Sequence, residues 1–409
     1  MWDLLAIWTI TAFTLYVGLF WVLMAIENRN VLRTSCKPTR WPSISILVPA
    51  YNEERAIRSC VRSLLSMDYP KKPQIIVIND GSTDNTAKIV SAIASKHDNV
   101  KLMTQPNRGK GAALNAGLAF ARGELVAVVD ADSSVSRSAL NKMVGHFDDG
   151  KVGAVVASIK PYKPRRFLTR LQSAEYVISC LYRRLGSLTN TMYVTPGALS
   201  VFRSRVVRGL GGFDEHNLTE DMEIALRMQK NGWEIRNSMT ATSYTQLPET
   251  LKALYHQRVR WYRGLLTNTW KYKGMLFNRR YGLLGLWQLP MNIIFPFVSI
   301  LVIAMFAWFA GLTLYRTFLE LLIVGPTTWA FSLERFLLGF DWRVMVPWIM
   351  GLAFGVSVLL LSYREVQEKI TKCTGRLSAL VFLMLFYTII NVLWCFALAK
   401  NIIRSERKW

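Results

Sequence analysis

The sequence predicts an α/β domain with a mostly parallel sheet, inserted between transmembrane helices and edged by amphipathic interface helices. Short, wholly apolar runs alternate with helical patterns from Ile44 to Val129, as in a sheet covered on both faces. Much longer apolar stretches lie outside that region, and Lys and Arg crowd the joints between the two regimes.

The membrane elements come first. Leu4–Ile26, Leu286–Leu312, Val344–Ser362 and Leu377–Ala399 are each long and apolar enough to cross a bilayer. The first has no basic leader and no small-residue cleavage site, and Glu27-Asn28-Arg29 follows it, so it reads as a retained anchor. The 409 residues thus divide into an anchor (1–28), a soluble domain (40–250), an interfacial helix (251–280) and a membrane region of about three spans (286–409). Leu314–Phe340, with Pro326, Glu320, Glu334 and Arg335, is a further re-entrant or fifth segment.

The formal charge of +23 concentrates in Arg29–Arg40, Lys160–Arg184, Lys252–Lys273 and Arg364–Arg376. These runs flank membrane or amphipathic segments, which suits contact with a lipid bilayer's anionic headgroups and with polyphosphate. No zinc-finger spacing or recognition-helix pattern accompanies them, so nucleic acid is excluded as a partner. Basic residues after the first span place the soluble domain in the cytoplasm of a multi-pass cell-membrane protein. The basic tail Lys400–Trp409 argues against an even number of spans, leaving four or five. Five scattered cysteines without a C-x-x-C pair fit reduced, non-ligating thiols.

Within the domain, Ile44–Val48 is a strand stopped by Pro49, and Ala56, Ile57, Cys60, Val61, Leu64 and Leu65 mark the apolar face of a helix. Ile75–Ile78 is the second strand; Asp84 caps a helix running to Ile93. Val100–Leu102 is a third strand, Ala112–Ala121 a helix, and Leu125–Val129 a fourth strand. Asp80 and Asp130 each follow a strand directly, so both should point into the crevice beyond the carboxyl ends of the sheet.

Asp130-Ala131-Asp132 puts two carboxylates two positions apart at a strand end. That pair occurs as a capped turn elsewhere, but after an apolar strand, with Asp80 upstream, it suits Mg²⁺ or Mn²⁺ on a diphosphate. Asn107–Gly111 is a basic, glycine-flanked loop opening a helix, where backbone N–H groups and Lys110 suit an anion. Thr219-Glu220-Asp221 opens the helix Met222–Asn231, with Thr219 as N-cap; that position should lower the Asp221 carboxyl. Leu251–Met275 is a basic, aromatic amphipathic helix carrying Gln257, Arg260 and Trp261. A guanidinium facing a diphosphate and an indole stacking on a sugar would explain those residue types, which a merely interfacial helix does not need. Phe167–Leu185 is a second amphipathic helix, assigned to the membrane interface, with packing on a partner helix as the alternative.

The order Pro49-Ala50-Tyr51-Asn52-Glu53, Asn79–Asp84, Asp130-Ala131-Asp132, Thr219-Glu220-Asp221 and Gln257-x-x-Arg260-Trp261 resembles glycosyltransferase family 2, in particular its membrane-embedded processive synthases of cellulose, chitin, hyaluronan and poly-N-acetylglucosamine. The resemblance runs from about Ser43 to the final span and implies a GT-A-like fold. It implies that Asp80 and Asp130 hold uridine and ribose, with Tyr51, Glu53 and Lys110 beside the nucleotide and Asp132 on the metal. It further implies Asp221 as base beside Glu220, and Gln257, Arg260 and Trp261 around the donor diphosphate and acceptor sugar. Val194–Ala198, with Gly197, resembles the acceptor loop. Only one span precedes the domain and no cyclic-dinucleotide-binding domain follows, unlike several relatives.

The expectation is an inverting transferase that moves sugar from a UDP-sugar, UDP-GlcNAc first, onto a growing β-linked polysaccharide that leaves through the membrane. Single addition to a lipid carrier is the nearest rival, and a nucleotide-sensing membrane receptor a more distant one. So few spans leave room for a partner subunit.

Overall fold

The computed structural model describes residues 2–324 and 342–402. An apolar helix, α1 (Trp2–Glu27), leads into the domain. The strand–helix alternation then runs β1 (Ile44–Ala50), α2 (Ile57–Leu65), β2 (Gln74–Asp80), α3 (Thr86–Ala94), β3 (Val100–Gln105), α4 (Lys110–Phe120) and β4 (Leu125–Val128). These are the expected elements, with β3 longer than predicted and α4 beginning at Lys110 itself; β1, however, is not stopped by Pro49 but continues through it to Ala50, in parallel register with Ile78 and Asn79.

Beyond β4 the chain adds β5 (Ser134–Val135), α5 (Ala139–Val144), β6 (Val152–Pro161), α6 (Phe167–Leu188), β7 (Ser200–Arg203), α7 (Ser204–Gly209), α8 (Glu220–Lys230), β8 (Glu234–Thr245) and α9 (Leu251–Lys271). All eight strands form one sheet in the order β3-β2-β1-β4-β7-β6-β8-β5. The β1–β2, β1–β4, β2–β3 and β6–β8 pairings are parallel, whereas β7 runs antiparallel to both β4 and β6, and β5 to β8. The sheet is therefore mixed in its second half. β7 enters beside β4 after a long excursion through α6, which frees it from the right-handed crossover that a parallel neighbour requires.

Alternation along β1 and β2 divides the core. Ile46, Val48, Ile75 and Val77 face α2 and α3, while Leu47, Ile76 and Ile78 face α4. Every residue of β1 is buried, as a central strand sandwiched between helices demands. Because β1 lies between β2 and β4, Asp80 and Asp130 emerge on either side of its end, where Tyr51 and Glu53 also leave the sheet.

The C-terminal helical region contains α10 (Leu289–Val324), α11 (Trp342–Val366), the short α12 (Ile370–Cys373) and α13 (Arg376–Val381), and α14 (Tyr387–Ile402). Leu4–Glu27, Leu284–Met305 and Met345–Val366 are long and apolar enough to cross a membrane. Arg376–Phe386 with Thr388–Phe396, bent by 46°, makes a fourth if the pair is one span. The proposed further segment lies outside the described residues from 325 onward, as does the tail from 403.

α6 joins the two regions and does more than lie at an interface. Leu171, Ala174, Val177, Ile178, Leu181 and Leu185 pack in one apolar cluster with Ala25 and Leu32, with Leu359 and Tyr363 of α11, and with Phe382 and Phe386. Its opposite side meets β6 and β8: Arg184 donates to the Asn237 carbonyl at 2.7 Å, and to Leu32 and Val31 at 2.9 and 2.6 Å. The domain is thereby held against the long apolar helices by a buried helix. All five cysteines are free thiols.

Candidate active site

The loops after β1 and β2 are stitched to one another. Asn52, with φ of +54°, accepts from Thr83 N at 2.8 Å and donates its own N–H to Ser82; Glu53 N–H donates to Thr86 Oγ1 and Glu54 N–H to Asp84. Asp84 also accepts from Thr86 N at 2.9 Å, so it bonds the first turn of α3 from one residue before the N-cap, which is Asn85 rather than the expected Asp84.

Asp80 accepts from Gln105 Nε2 at 2.7 Å, Arg108 N at 3.0 Å and Gly109 N at 2.8 Å. The backbone cradle expected for an external anion at Asn107–Gly111 is thus filled by the protein's own carboxylate. Gly81 permits this closure: it has φ of +74°, and a Cβ there would stand 2.6 Å from Asn107 N.

Lys110 turns inward. Its Nζ lies 2.8 Å from Asp130 Oδ1 and 2.9 Å from Glu220 Oε1, so it bridges the end of β4 to the start of α8. Burial alone would lower its ammonium; Asp130 and Glu220 outweigh that and hold it charged, well above the ordinary range. Asp130 N–H donates to the Gly197 carbonyl at 2.7 Å, and Thr195 donates through N and Oγ1 to the Asp221 carbonyl at 3.1 and 2.8 Å. The 194–198 loop therefore spans the gap between Asp130 and Asp221. Gly197 is required there because a Cβ would fall 2.3 Å from Asp130 Oδ1.

Asp221 departs from the expectation for a helix N-terminus. Its Oδ1 accepts from Met222 N at 2.9 Å, yet the carboxyl is pushed up to about 6, first by burial and then by the charge of Glu220, against the opposing pull of Lys110 and Arg260. Desolvation beats the helix dipole, whose effect is only a fraction of a charge. Thr219 holds the N-cap position, but its hydroxyl serves another partner, accepting from Asn268 Nδ2 of α9 at 2.9 Å.

A second carboxylate group sits opposite. Asp132 is raised to about 6 by burial and by Asp130, and Glu53 to about 7 by burial, Asp132 and Asp130. Carboxylates so crowded suit a cation among them, and Asp130 and Asp132 both face the cavity. Among the described residues no group of three or more acidic, His or Cys side chains forms a closed metal cage. Any ion held there would keep positions open for a ligand's own oxygens.

Helix α9 closes the site from above. Gly264 lets it approach the Thr219–Asp221 turn, since a Cβ would come 2.2 Å from Thr219 Oγ1. One turn earlier, Arg260 reaches the Leu218 carbonyl at 3.5 Å, and Gln257, Arg260 and Trp261 line the same cavity as Lys110, Asp130, Asp132, Glu220 and Asp221. The Gln257 Oε1 is buried and meets no hydrogen-bond partner among the described residues.

Sequence reasoning missed Glu175 and saw Arg258 only as a basic position. Glu175 on α6 receives two bonds of 2.7 Å from Arg258, which is 3% exposed, and the Arg258 guanidinium covers the Trp261 ring at 4.6 Å. An acidic residue on a basic helix was the available signal. Exposed Tyr51 and buried Asp80 lie on the crevice side of the sheet, but neither lines the cavity.

The cavity has a volume of about 1240 Å³ and continues from the carboxylates between α1, α6, α10 and α11, past Trp287, Asn292, Phe295, Trp348 and Phe354.

Residues 45–211 match the family model described as glycosyl transferase family 2. The chain is 33% identical over 276 residues to the "Probable glycosyltransferase YdaM" of Bacillus subtilis, covering 62% of this chain and 66% of that protein. It is 31% identical over 274 residues to a poly-beta-1,6-N-acetyl-D-glucosamine synthase of Staphylococcus epidermidis, covering 63% and 66%. The matched stretch thus spans just under two thirds of these relatives. In fold, the mannosyltransferase PcManGT from Pyrobaculum calidifontis, solved with GDP-Man and Mn²⁺, superposes with a TM-score of 0.65 at 20% identity, covering 99% of this chain and all of that one. The shared architecture is the GT-A-like fold.

Proposed function

Since residues 45–211 carry a glycosyl transferase family 2 domain, we propose that the chain is an inverting glycosyltransferase that elongates a β-linked polysaccharide and passes it through the membrane. The donor is a UDP-sugar, UDP-GlcNAc first, a choice supported by the poly-N-acetylglucosamine synthases among its relatives. The observation that carries the reading is the single cavity joining the carboxylates and the Gln257–Trp261 turn to a path between the spans. Gln288 and Asn292 lie in its membrane half, bonded to each other at 2.9 Å, with the Asn292 Nδ2 unsatisfied among the described residues. Amides are costly at that depth, and a chain of sugar hydroxyls would satisfy them.

In this mechanism Asp221, with its carboxyl raised to about 6, takes the proton of the acceptor hydroxyl as the donor's glycosidic bond breaks. Direct displacement by that hydroxyl inverts the anomeric centre. Asp80 and Asp130 hold the uridine and ribose, with Tyr51 and Glu53 beside the nucleotide. Asp130 and Asp132 would hold a divalent cation, Mg²⁺ or Mn²⁺, which when bound neutralises the departing diphosphate. Lys110 keeps Asp130 and Glu220 in register, Arg260 and Gln257 face the diphosphate, and Trp261 presents an indole face to the acceptor sugar. The spans embed the protein in the cell membrane with the domain on the cytoplasmic side.

A second reading, single addition to a lipid carrier, is favoured by the aliphatic wall that Ile10, Val17, Val302 and Leu383 contribute to the membrane half. A radiolabelled UDP-sugar panel on reconstituted protein, with and without Mg²⁺ or Mn²⁺, separates the two. A metal-dependent product of high molecular weight is expected; a short product partitioning into organic solvent would establish the lipid transferase instead.

A further inference from the structure

Arg183 lies on the stripe of α6 that faces the cavity, at helical spacing from Tyr176, Ser179 and Gly186. The neighbouring arginines are spent: Arg184 on three backbone carbonyls, Arg258 on Glu175. Arg183 is different. Its Nη1 is buried and meets no hydrogen-bond partner among the described residues, and no carboxylate there forms an ion pair with it. Burying one guanidinium nitrogen without an acceptor is costly, and an oxyanion supplies an acceptor together with the opposite charge.

Its position indicates what sort of molecule carries that anion. The adjacent Tyr182 ring packs edge-on against Trp21, 5.5 Å away, close to the domain end of the first span, which is the depth of lipid headgroups. Beyond that level the cavity wall turns apolar, with Ile10, Val17, Phe354 and Leu383. A ligand that satisfies both halves has an oxyanion at one end and a hydrocarbon body at the other. Sugar hydroxyls could accept from Nη1, but a neutral glycan leaves the positive charge unmatched.

We propose that Arg183 binds the phosphate of a membrane lipid whose hydrocarbon lies along the cavity, making the site accept a lipid phosphate in addition to the nucleotide sugar. The proposal rests on reading this cavity as the acceptor's path. Arginine suits the task because its planar fork meets phosphate oxygens in pairs.

The test uses the full chain purified in nonionic detergent, as the parent and as Arg183→Gln and Arg183→Lys. Retention of radiolabelled farnesyl phosphate is measured with farnesol and phosphatidylglycerol as competitors, and UDP binding reports that each variant is folded. Losing a charge-assisted pair should weaken retention about tenfold or more in Arg183→Gln, with Arg183→Lys closer to the parent and UDP binding within about twofold in all. Competition by phosphatidylglycerol but not farnesol assigns the site to bilayer phospholipid, and competition by neither to a single-chain lipid phosphate; both support the phosphate contact. Equal retention by parent and Arg183→Gln, or equally good competition by farnesol, overturns it. UDP release from UDP-GlcNAc is assayed alongside. If retention follows Arg183 while no donor is turned over, the transferase reading fails and the lipid site stands.

Discussion

On the proposed reading, the chemistry turns on a few side chains whose charge state is set by neighbours remote in sequence. Asp221 is the sharpest case. Asp221→Asn should abolish sugar transfer while leaving UDP affinity nearly unchanged, checked by radiolabel incorporation and UDP titration; full activity would remove Asp221 as the base. With its carboxyl at about 6, the base is protonated and idle below that pH, so kcat should rise through pH 6 and level off above it. Gly197→Ala would drive a methyl group into Asp130, and donor affinity measured calorimetrically should fall roughly ten- to a hundredfold. His146 bears on stability instead. Burial, then Arg184 and Arg236, push its imidazole down from 6.5 to about 4, so the unfolded chain binds more protons between those values. The folded state should therefore lose up to about 3 kcal/mol as pH falls from 6.5 to 4, with no contribution above 6.5. Thermal melts of the parent should show that loss, and those of His146→Gln should show a flatter pH dependence.

At the scale of elements, α6 and α9 matter most, and they meet through Glu175 and Arg258. Taking one partner from a largely buried ion pair leaves the other uncompensated, although Glu175, at 31% side-chain exposure, keeps part of its hydration. A double-mutant cycle with Glu175→Gln and Arg258→Gln, read by thermal melts in detergent, should show a coupling of about 1–3 kcal/mol. Independent, additive effects would mean the pair does not hold the two helices together. The predicted elements were legible where one local rule dominated: apolar runs for β1, β2 and β4, and helical spacing for α2, α6 and α9. The strands β6, β7 and β8 were not legible, since Ser200–Arg203 is short and β8 mixes polar with apolar residues along its length. β7 pairs with the open edge of β4, and β6 and then β8 extend the sheet from it, so all three are set by pairing across the sheet.

At the scale of the whole molecule, the cavity beside Asp130 and Asp221 continues without a break between α1, α6, α10 and α11. Gly351 lines its membrane half, and a Cβ there meets no atom within 4 Å. Gly351→Trp should therefore fold while obstructing the path. On the polymer reading, products sized by gel filtration should shorten several-fold, by roughly the factor that 1–2 kcal/mol of hindrance implies, while UDP release continues. Unchanged product length would separate the cavity from the route the product takes.

By itself the sequence determined the class of fold, and it put Asp80 and Asp130 at strand ends, Asp221 at a helix start and Gln257–Trp261 on a helix, because each is written in a local pattern of apolar runs, breaks and charge. Only the tertiary structure decided that Asp80 fills its own backbone cradle, that Lys110 serves two carboxylates, that Asp221 is raised rather than lowered, and that Arg183 Nη1 is buried without a partner among the described residues. These outcomes depend on contacts such as Glu175 with Arg258, separated by 83 positions, and on burial. Both are properties of packing, which no local pattern encodes.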